Sequence, residues 1–367
     1  MGDEADMSRV HPLVPRDEAD LADLIKGANG PVSVRGGNTR GMAPDGAALS
    51  VAALGGITLY EPGALTLVAR AGTPVADIEA ALRAEGQRLA FEPMDHRGLL
   101  GTDGAPTLGG MMAANVSGPR RIAVGAARDF ALGVRFVDGA GTVIKNGGRV
   151  MKNVTGYDLV KLMCGARGTL GVLTEVSLKV LPSPECTQTL CVPAETAEDA
   201  VALMSRALGT PFEVSGAAFD GTAVALRLEG FEASVAYRIN RLQSALGGEA
   251  QDVDWTAIRD VAAFAGMDGD VWRLSVKPSD APRVLEALPE GSTYQLDWGG
   301  GLIWVLCPQG SNPRLALDGV PGHATRVRGS GPAPAVQPQS AGVDQLQTAL
   351  RRRFDPRGLF SPALEGA

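Results

Sequence analysis

The chain has 367 residues, of which 45% are hydrophobic and 20% are charged, and its formal net charge is −7. This length and apolar content predict two globular domains and exclude a disordered or fibrous chain. The acidic balance is a poor electrostatic match for nucleic acid, so we expect no nucleic-acid partner. An acidic start and the lack of an apolar run of membrane-spanning length predict no direct membrane insertion. We therefore expect a cytoplasmic protein, at most peripheral to the inner membrane through partners.

Short strands and glycine turns dominate the first half of the chain. Residues 32–34 predict a strand that ends at a Gly-Gly pair, and alternating apolar residues predict strands at 65–71 and 176–180. Two further strands flank the turn at 138–140, which predicts a hairpin.

A helix is predicted to follow the strand at 65–71. Thr73 is the expected N-cap, Pro74 suits the first turn, and Gly86 is expected to end the helix.

Pro182-Ser183-Pro184 predicts a domain boundary, because the pattern of elements changes after it. Helices capped by Thr196 and Ser279, with strands between and after them, give the order α-β-β-α-β-α-β-β. This order predicts an antiparallel sheet with helices on one face, which is an α+β lobe. Residues 329–341 are rich in Gly, Pro, Ser and Gln and predict a linker before a last helix that ends at 354–356.

Three glycine-rich segments carry the chemistry, and the first follows the strand at 32–34. Adjacent glycines allow successive backbone N–H groups to point into one concavity that binds phosphate oxygens, although an ordinary turn has the same pattern. The segment consists of Arg35, Gly36, Gly37, Asn38, Thr39, Arg40 and Gly41.

The second segment, at 101–121, consists mainly of small residues and hydroxyls. Small side chains allow a planar ligand or a diphosphate to approach the backbone, and the alternative is a tightly packed Gly-Ala loop. Its candidate binding residues are Gly104, Thr107, Leu108, Gly109, Gly110, Ala114, Ser117 and Gly118.

The third segment, at 165–175, contains G-x-x-G-x-x-G and ends with Gly171 and Val172 at the start of a predicted strand. The nicotinamide fingerprint has a different spacing and follows a strand, so a Rossmann domain is a poor interpretation.

In this order, the three segments resemble the FAD-binding domain of the vanillyl-alcohol oxidase/p-cresol methylhydroxylase (PCMH-type) flavoproteins. The resemblance implies an α+β fold with a two-lobed, PCMH-type FAD-binding domain over residues 1–182. A smaller α+β cap lobe with an antiparallel sheet is expected over 183–328, on the substrate side. After the linker at 329–341, residues 342–367 are expected to pack back on the FAD domain.

The resemblance assigns the candidate binding residues of the three segments to FAD. Some relatives attach FAD covalently through a histidine in the first segment, but residues 37–39 contain none, so we expect non-covalent FAD. The stretches 117–121, 127–130, 150–159 and 354–362 look closest to the branch that forms the smaller FAD-binding subunits of bacterial glycolate oxidases.

This branch implies a subunit of a multi-subunit oxidase of glycolate or another 2-hydroxy acid, with a larger FAD-containing subunit and an iron–sulfur subunit as partners. The residues agree with a division of labour, because no two of Cys164, Cys186, Cys191 and Cys307 form a C-x-x-C pair that would indicate a cluster or a zinc site.

The histidines give no metal site either, since His11, His96 and His323 lack metal-ligand spacing. His323 is the single candidate for a catalytic group. A surface or turn position is nevertheless the preferred interpretation for both His323 and His96, and His11 belongs to the terminus.

Two alternatives stay open. The chain is a self-sufficient oxidase of a sugar or alcohol in one of them, with Tyr157, Glu175 or Asp129 as the base. In the other it is a structural subunit without redox work, which the intact glycine segments disfavour.

Overall fold

The computed structural model describes residues 12–41, 46–149 and 156–360. His11, the stretch 150–155 and the end of the tail at 361–362 lie outside these described residues.

The first half of the chain forms short helices and two main sheets. Its elements are α1 (Glu18–Gly27), β1 (Val32–Arg35), β2 (Ala47–Ser50), β3 (Ile57–Glu61), β4 (Thr66–Arg70), α2 (Val75–Ala84), β5 (Gln87–Arg88), α3 (Arg97–Leu100), α4 (Leu108–Ala113), α5 (Arg121–Val124), α6 (Ala127–Phe130), β6 (Ala131–Val137), β7 (Val143–Gly147), α7 (Leu159–Met163), β8 (Val172–Lys179) and β9 (Leu181–Pro182).

A small lobe is built on the parallel pair β1–β2. Helix α1 starts at Asp17, whose side chain accepts from the backbone N–H of Asp20, and it buries Leu21 and Ile25 in the core of this lobe. Phe360 completes the lobe, because it forms a parallel bridge to Val32 of β1.

The larger lobe contains an antiparallel sheet with the strand order β3-β4-β8-β6-β7. The hairpin prediction is confirmed, since β6 and β7 flank a turn in which Asp138 Oδ1 accepts from the N–H groups of Ala140 and Thr142. The prediction that Thr73 caps α2 is wrong. Its Oγ1 donates to the Arg70 carbonyl and accepts from the Gly56 N–H, so it fixes the end of β4 instead.

The second half of the chain forms one large sheet and its covering helices. Its elements are β10 (Cys186–Pro193), α8 (Ala197–Leu208), β11 (Gly216–Phe219), β12 (Ala223–Gly230), α9 (Glu232–Leu246), β13 (Glu249–Gln251), α10 (Trp255–Arg259), β14 (Asp270–Val276), α11 (Ala281–Glu286), β15 (Thr293–Asp297), β16 (Leu302–Cys307), β17 (Gly322–Arg328) and α12 (Ala341–Phe354).

Eight antiparallel strands make up this sheet, in the order β13-β10-β12-β11-β15-β16-β14-β17. The sequence pattern missed β10, β13 and β17. Helices α8, α9 and α11 cover one face, as predicted, and the short α10 lies on the other. Thr196 caps α8 as expected, but Ser279 does not cap α11, whose N-cap position is held by Asp280.

The uncovered part of the sheet packs on the first half of the chain. Val271 of β14 and Trp304 of β16 share a core with Met94 and Leu99. Alternation along β14 puts Arg273 on this same face, since Leu274 points into the core under the helices. Side chains on this face of the sheet, Arg273 among them, therefore point toward the first half of the chain.

The end of the chain returns to the small lobe. Arg357 donates to the carbonyls of Ile25 and Gly139, and the Gly139 N–H donates to the Phe354 carbonyl. Within the described ranges, no helix combines the length and the apolar character needed to cross a membrane.

Candidate functional site

A central cleft runs between the two lobes of the first half of the chain, and all three glycine-rich segments reach it. Gly36, Gly109 and Gly171 are all part of its wall. The predicted residues that line it are Arg35, Gly36, Gly37, Asn38, Thr39, Arg40, Thr107, Gly109, Gly110, Ala114, Gly171 and Val172.

Close contact between the first two segments explains their glycines. A Cβ atom on Gly36 would lie 2.3 Å from Thr107 Oγ1, and one on Gly37 would lie 1.6 Å from the Ala105 carbonyl oxygen. Both distances are far below a van der Waals contact, so only glycine permits the loops to meet here. The glycines build the wall of the cleft by packing against protein.

The second segment enters the short helix α4. Thr107 is its N-cap and accepts from the Gly110 N–H at 3.3 Å. Gly109 packs against β4, because a Cβ atom there would lie 2.7 Å from Ala71 Cβ. Leu108 is fully buried in the core and does not line the cleft.

Four more of the predicted residues lie away from the cleft wall. Gly41 is exposed, and the Gly104 carbonyl accepts from Arg97. Ser117 Oγ accepts from the Ala127 N–H, and the Gly118 carbonyl accepts from Trp298 Nε1 at 3.0 Å. Gly118 thus ties the first half of the chain to the eight-stranded sheet.

Two arginines give the cleft an uncompensated positive charge. Arg40 donates to the Gly110 carbonyl, and the Arg167 guanidinium has no hydrogen-bond acceptor among the described residues. Neither forms an ion pair there. Burial, with the field of Arg167, lowers the pKa of Arg40 to about 10, and burial also lowers the pKa of Arg167. Both stay protonated at neutral pH, and such a pair fits an anionic group such as a diphosphate.

The two described histidines are both more buried than a surface position implies. His96 lines the cleft, and burial together with the Arg40 charge lowers its pKa to about 3. His323 is half-buried on β17, opposite Ser275 of β14, and burial followed by the charges of Arg273 and neighbouring arginines lowers its pKa. His96 does lie in a loop, directly before α3, whereas His323 lies on a strand, and both imidazoles are neutral near pH 7.

The alternative bases do not reach the cleft. Tyr157 is 88% exposed. Asp129 accepts from the Ala126 N–H and pairs with Lys161, and Glu175 accepts from Thr58 on the five-stranded sheet.

Sequence reasoning missed four residues that the structure brings to this region. Arg167 and Arg121 lay inside the glycine-rich segments, where their charge was the available signal. Trp298 precedes a Gly-Gly-Gly run, which marks a tight turn, and Arg273 in its strand gave no signal at all.

The cysteines are free thiols, and three of them are buried. Burial raises the pKa of Cys164 to about 12 and that of Cys307 to about 11, so these thiols are unreactive at neutral pH. The part of the chain that the structure describes contains no group of His, Cys, Asp and Glu side chains suited to a metal ion.

Comparisons with known proteins agree with this geometry. The family model described as an FAD binding domain matches residues 12–147. Glycolate oxidase subunit GlcE of Escherichia coli is 38% identical over 340 residues, which cover 90% of this chain and 91% of that protein. Glycolate oxidase subunit GlcD of Bacillus subtilis is 33% identical over 141 residues, which cover 38% of this chain and 28% of that protein.

A solved structure of alkyldihydroxyacetonephosphate synthase shares the fold, with a TM-score of 0.68 and 14% identity over 95% of this chain and 76% of that one. Fold, cleft and relatives together define an FAD-dependent oxidoreductase. The chain belongs to the PCMH-type FAD-binding flavoprotein family, in the branch that contains the Escherichia coli glycolate oxidase subunit.

Proposed function

We propose that this chain is the FAD-binding subunit of a multi-subunit glycolate (2-hydroxy acid) oxidase, and that it holds FAD non-covalently in the central cleft. The observation that carries the proposal is the unpaired positive charge of Arg40 and Arg167 in a cleft that all three glycine-rich segments line. The similarity to a glycolate oxidase subunit over 90% of the chain supports the substrate class.

The residues of this chain have separate roles in the proposal. Bound FAD supplies the acceptor for the hydride of the substrate carbon. Arg40 and Arg167 neutralise the diphosphate, and the backbone at Gly36 and Gly109 forms the wall against which the cofactor lies. His323, on the sheet face toward the first half of the chain (the cleft domain), is kept neutral and is thereby able to accept a proton.

The proposed organisation follows the same division. Residues 1–182 form the FAD domain, 183–328 the cap lobe, 329–341 the linker and 342–367 the returning segment. A cytoplasmic location, peripheral to the inner membrane through partners, goes with this assignment.

Arg167→Gln is expected to weaken FAD binding by about 10- to 100-fold, because a hydrogen bond to a charged group contributes about 1.5–3 kcal/mol. The fold is expected to survive, since the Arg167 side chain has no partner among the described residues. Titration of apoprotein with FAD, followed by flavin fluorescence, measures the effect. Acid precipitation of the wild type is expected to leave the flavin in the supernatant.

Arg97→Gln is the matched control, because Arg97 lines the same cleft but is paired with Asp95. Equal FAD affinity in both variants would contradict the proposed diphosphate site. Yellow colour in the acid pellet would contradict non-covalent attachment.

The partner proposal is tested on the complex. A larger FAD-containing subunit and an iron–sulfur subunit are expected to co-purify with the chain, and the chain alone, loaded with FAD, is expected to oxidise glycolate slowly. Mixing with the partners is expected to restore the rate. Fast oxidation by the isolated chain would overturn the division of labour and favour a self-sufficient oxidase.

A further inference from the structure

A second group of positive charges lies next to the cleft, where the sheet meets the first half of the chain. Arg121 starts α5 and Arg273 lies on β14, and Trp298 brings them together. The guanidinium carbon of Arg121 is 4.6 Å from the centroid of the Trp298 ring, and that of Arg273 is 5.0 Å from it. Both distances are within cation–π range. None of the three residues lines the central cleft.

Neither of these two guanidiniums has an anionic partner. In the described ranges, the side chains of Arg121 and Arg273 donate no hydrogen bond and form no ion pair. Burial lowers the pKa of Arg273 to about 10; the charges of Arg121 and Arg167 add to this effect, and the Asp297 carboxyl opposes it. Neither guanidinium is paired directly with a carboxylate, so a bound anion would relieve the repulsion between them.

In the same interface, Arg227 is an arginine that has both an aromatic and a carboxylate partner. Arg227 donates to both carboxylate oxygens of Glu92, at 2.8 and 2.9 Å, and stacks on Trp255. Arg273 and Arg121 have the aromatic partner but lack the carboxylate. A carboxylate from a bound ligand would complete the same arrangement at Arg121 and Arg273.

Trp298 is held in an unfavourable backbone conformation to make this arrangement. Its φ is 55°, in the left-handed region that bulky residues rarely adopt. The Trp298 N–H donates to Asp297 Oδ1, and its indole N–H donates to the Gly118 carbonyl. Backbone strain of this kind is concentrated at functional sites. Here it puts one ring against arginines from both halves of the chain.

We propose that Arg121 and Arg273 bind the carboxylate of a small organic acid at the junction of the two halves, and that Trp298 is the positioning residue of this site. The proposal rests on the proposed function and assigns the substrate contacts within it. Arg121 comes from the cleft domain and Arg273 from the sheet, so the site exists only when both pack together. His323 lies on the same face of the sheet as Arg273, two residue pairs further along the β14–β17 ladder.

The test uses the full-length, FAD-loaded chain and oxalate as the probe, with binding measured by isothermal titration calorimetry. Wild type is expected to bind oxalate. Arg273→Gln and Arg121→Gln are each expected to weaken binding by about 10- to 100-fold, with unchanged FAD content, and Arg273→Lys is expected to restore part of it. Trp298→Phe keeps an aromatic ring but loses the bond to Gly118, and a smaller loss of affinity is expected.

Arg283→Gln is the matched control, because Arg283 lies on the same lobe and bonds only to the Asp318 carbonyl among the described residues. Oxalate binding that is equal in wild type, Arg273→Gln and Arg121→Gln would overturn the proposal, as would FAD-loaded wild type that binds no oxalate. A different result would contradict the proposed function, namely a wild-type chain that does not bind FAD. If a Gln variant loses FAD, the oxalate affinity of Arg273→Lys is compared with that of wild type, both at full FAD content. Weaker binding by Arg273→Lys supports the proposal, and equal binding overturns it.

Discussion

Gly37→Ala is expected to abolish FAD binding while the eight-stranded sheet stays folded. The new Cβ atom would lie 1.6 Å from the Ala105 carbonyl oxygen. This oxygen belongs to the backbone, so a change of side-chain rotamer cannot relieve the clash. Overpacking of this severity forces the two loops apart. Because these loops form one wall of the cleft, their separation moves Arg40 and Thr107 from their places in that wall.

The ratio of flavin to protein absorbance after purification with excess FAD measures this effect, and a loss of more than about tenfold is expected. Gly98→Ala is the matched control in the same domain, since a Cβ atom there has no other atom within 4 Å. A Gly37→Ala protein that retains its full flavin content would show that the loops do not shape the cofactor site.

Glu229→Gln is expected to destabilise the fold by about 3–5 kcal/mol, because it removes one partner from a buried ionic network. Glu229 is 5% exposed, lies 2.6 Å from Arg88 Nη1 and 3.6 Å from Arg227 Nε, and also pairs with Arg120. Arg88 and Arg120 belong to the cleft domain and Glu229 to β12. Without the carboxylate, three guanidiniums face one another in the interface. The free energy of unfolding, measured with urea, is the readout.

The pH dependence gives the same network a second test. Burial opposes ionisation of Glu229, but the charges of Arg227, Arg120 and Arg88 outweigh it together and hold its pKa below the ordinary value of 4.5. A carboxyl with a lowered pKa stabilises the fold above the ordinary pKa, and this contribution is lost as the pH falls through the lowered value. The difference between wild type and Glu229→Gln is therefore expected to shrink below about pH 4.5.

Glu213→Gln is the control for this prediction. Glu213 is also paired with an arginine, Arg238, but its side chain is 83% exposed, so solvent screens the pair. Its loss is expected to change the unfolding free energy by less than about 1 kcal/mol. A similar effect of both substitutions would show that the buried network does not hold the two halves together.

The glycine-rich segments were predictable from the sequence, but the reason for their glycines was not. Adjacent glycines were expected to let a ligand approach the backbone, whereas Gly36 and Gly37 are required by contacts with Thr107 and Ala105, which follow about seventy positions later. Leu108 shows the same limit. Its place inside a binding segment suggested the cleft, but the turn into α4 directs it into the core.

Long-range charges were the hardest feature to predict. His96 lies near Arg40 because the loop at residues 93–97 lines the same cleft. Arg273 lies near Arg121 because both contact the Trp298 ring, and all three residues are distant in sequence. Local sequence patterns indicate periodicity and turns, but they do not show which arginine lacks an acidic partner in the folded chain. The antiparallel sheet of the second half was predictable because its helices and strands have clear local periods, although its edge strands β13 and β17 were missed.

The strand that leads into the first glycine-rich segment is completed by the last described residues of the chain. The Val32 N–H donates to the Leu359 carbonyl at 2.7 Å, and Val32 bridges to Phe360. Truncation before Leu359 therefore removes a main-chain hydrogen bond and a parallel bridge from the strand that leads into the first glycine-rich segment.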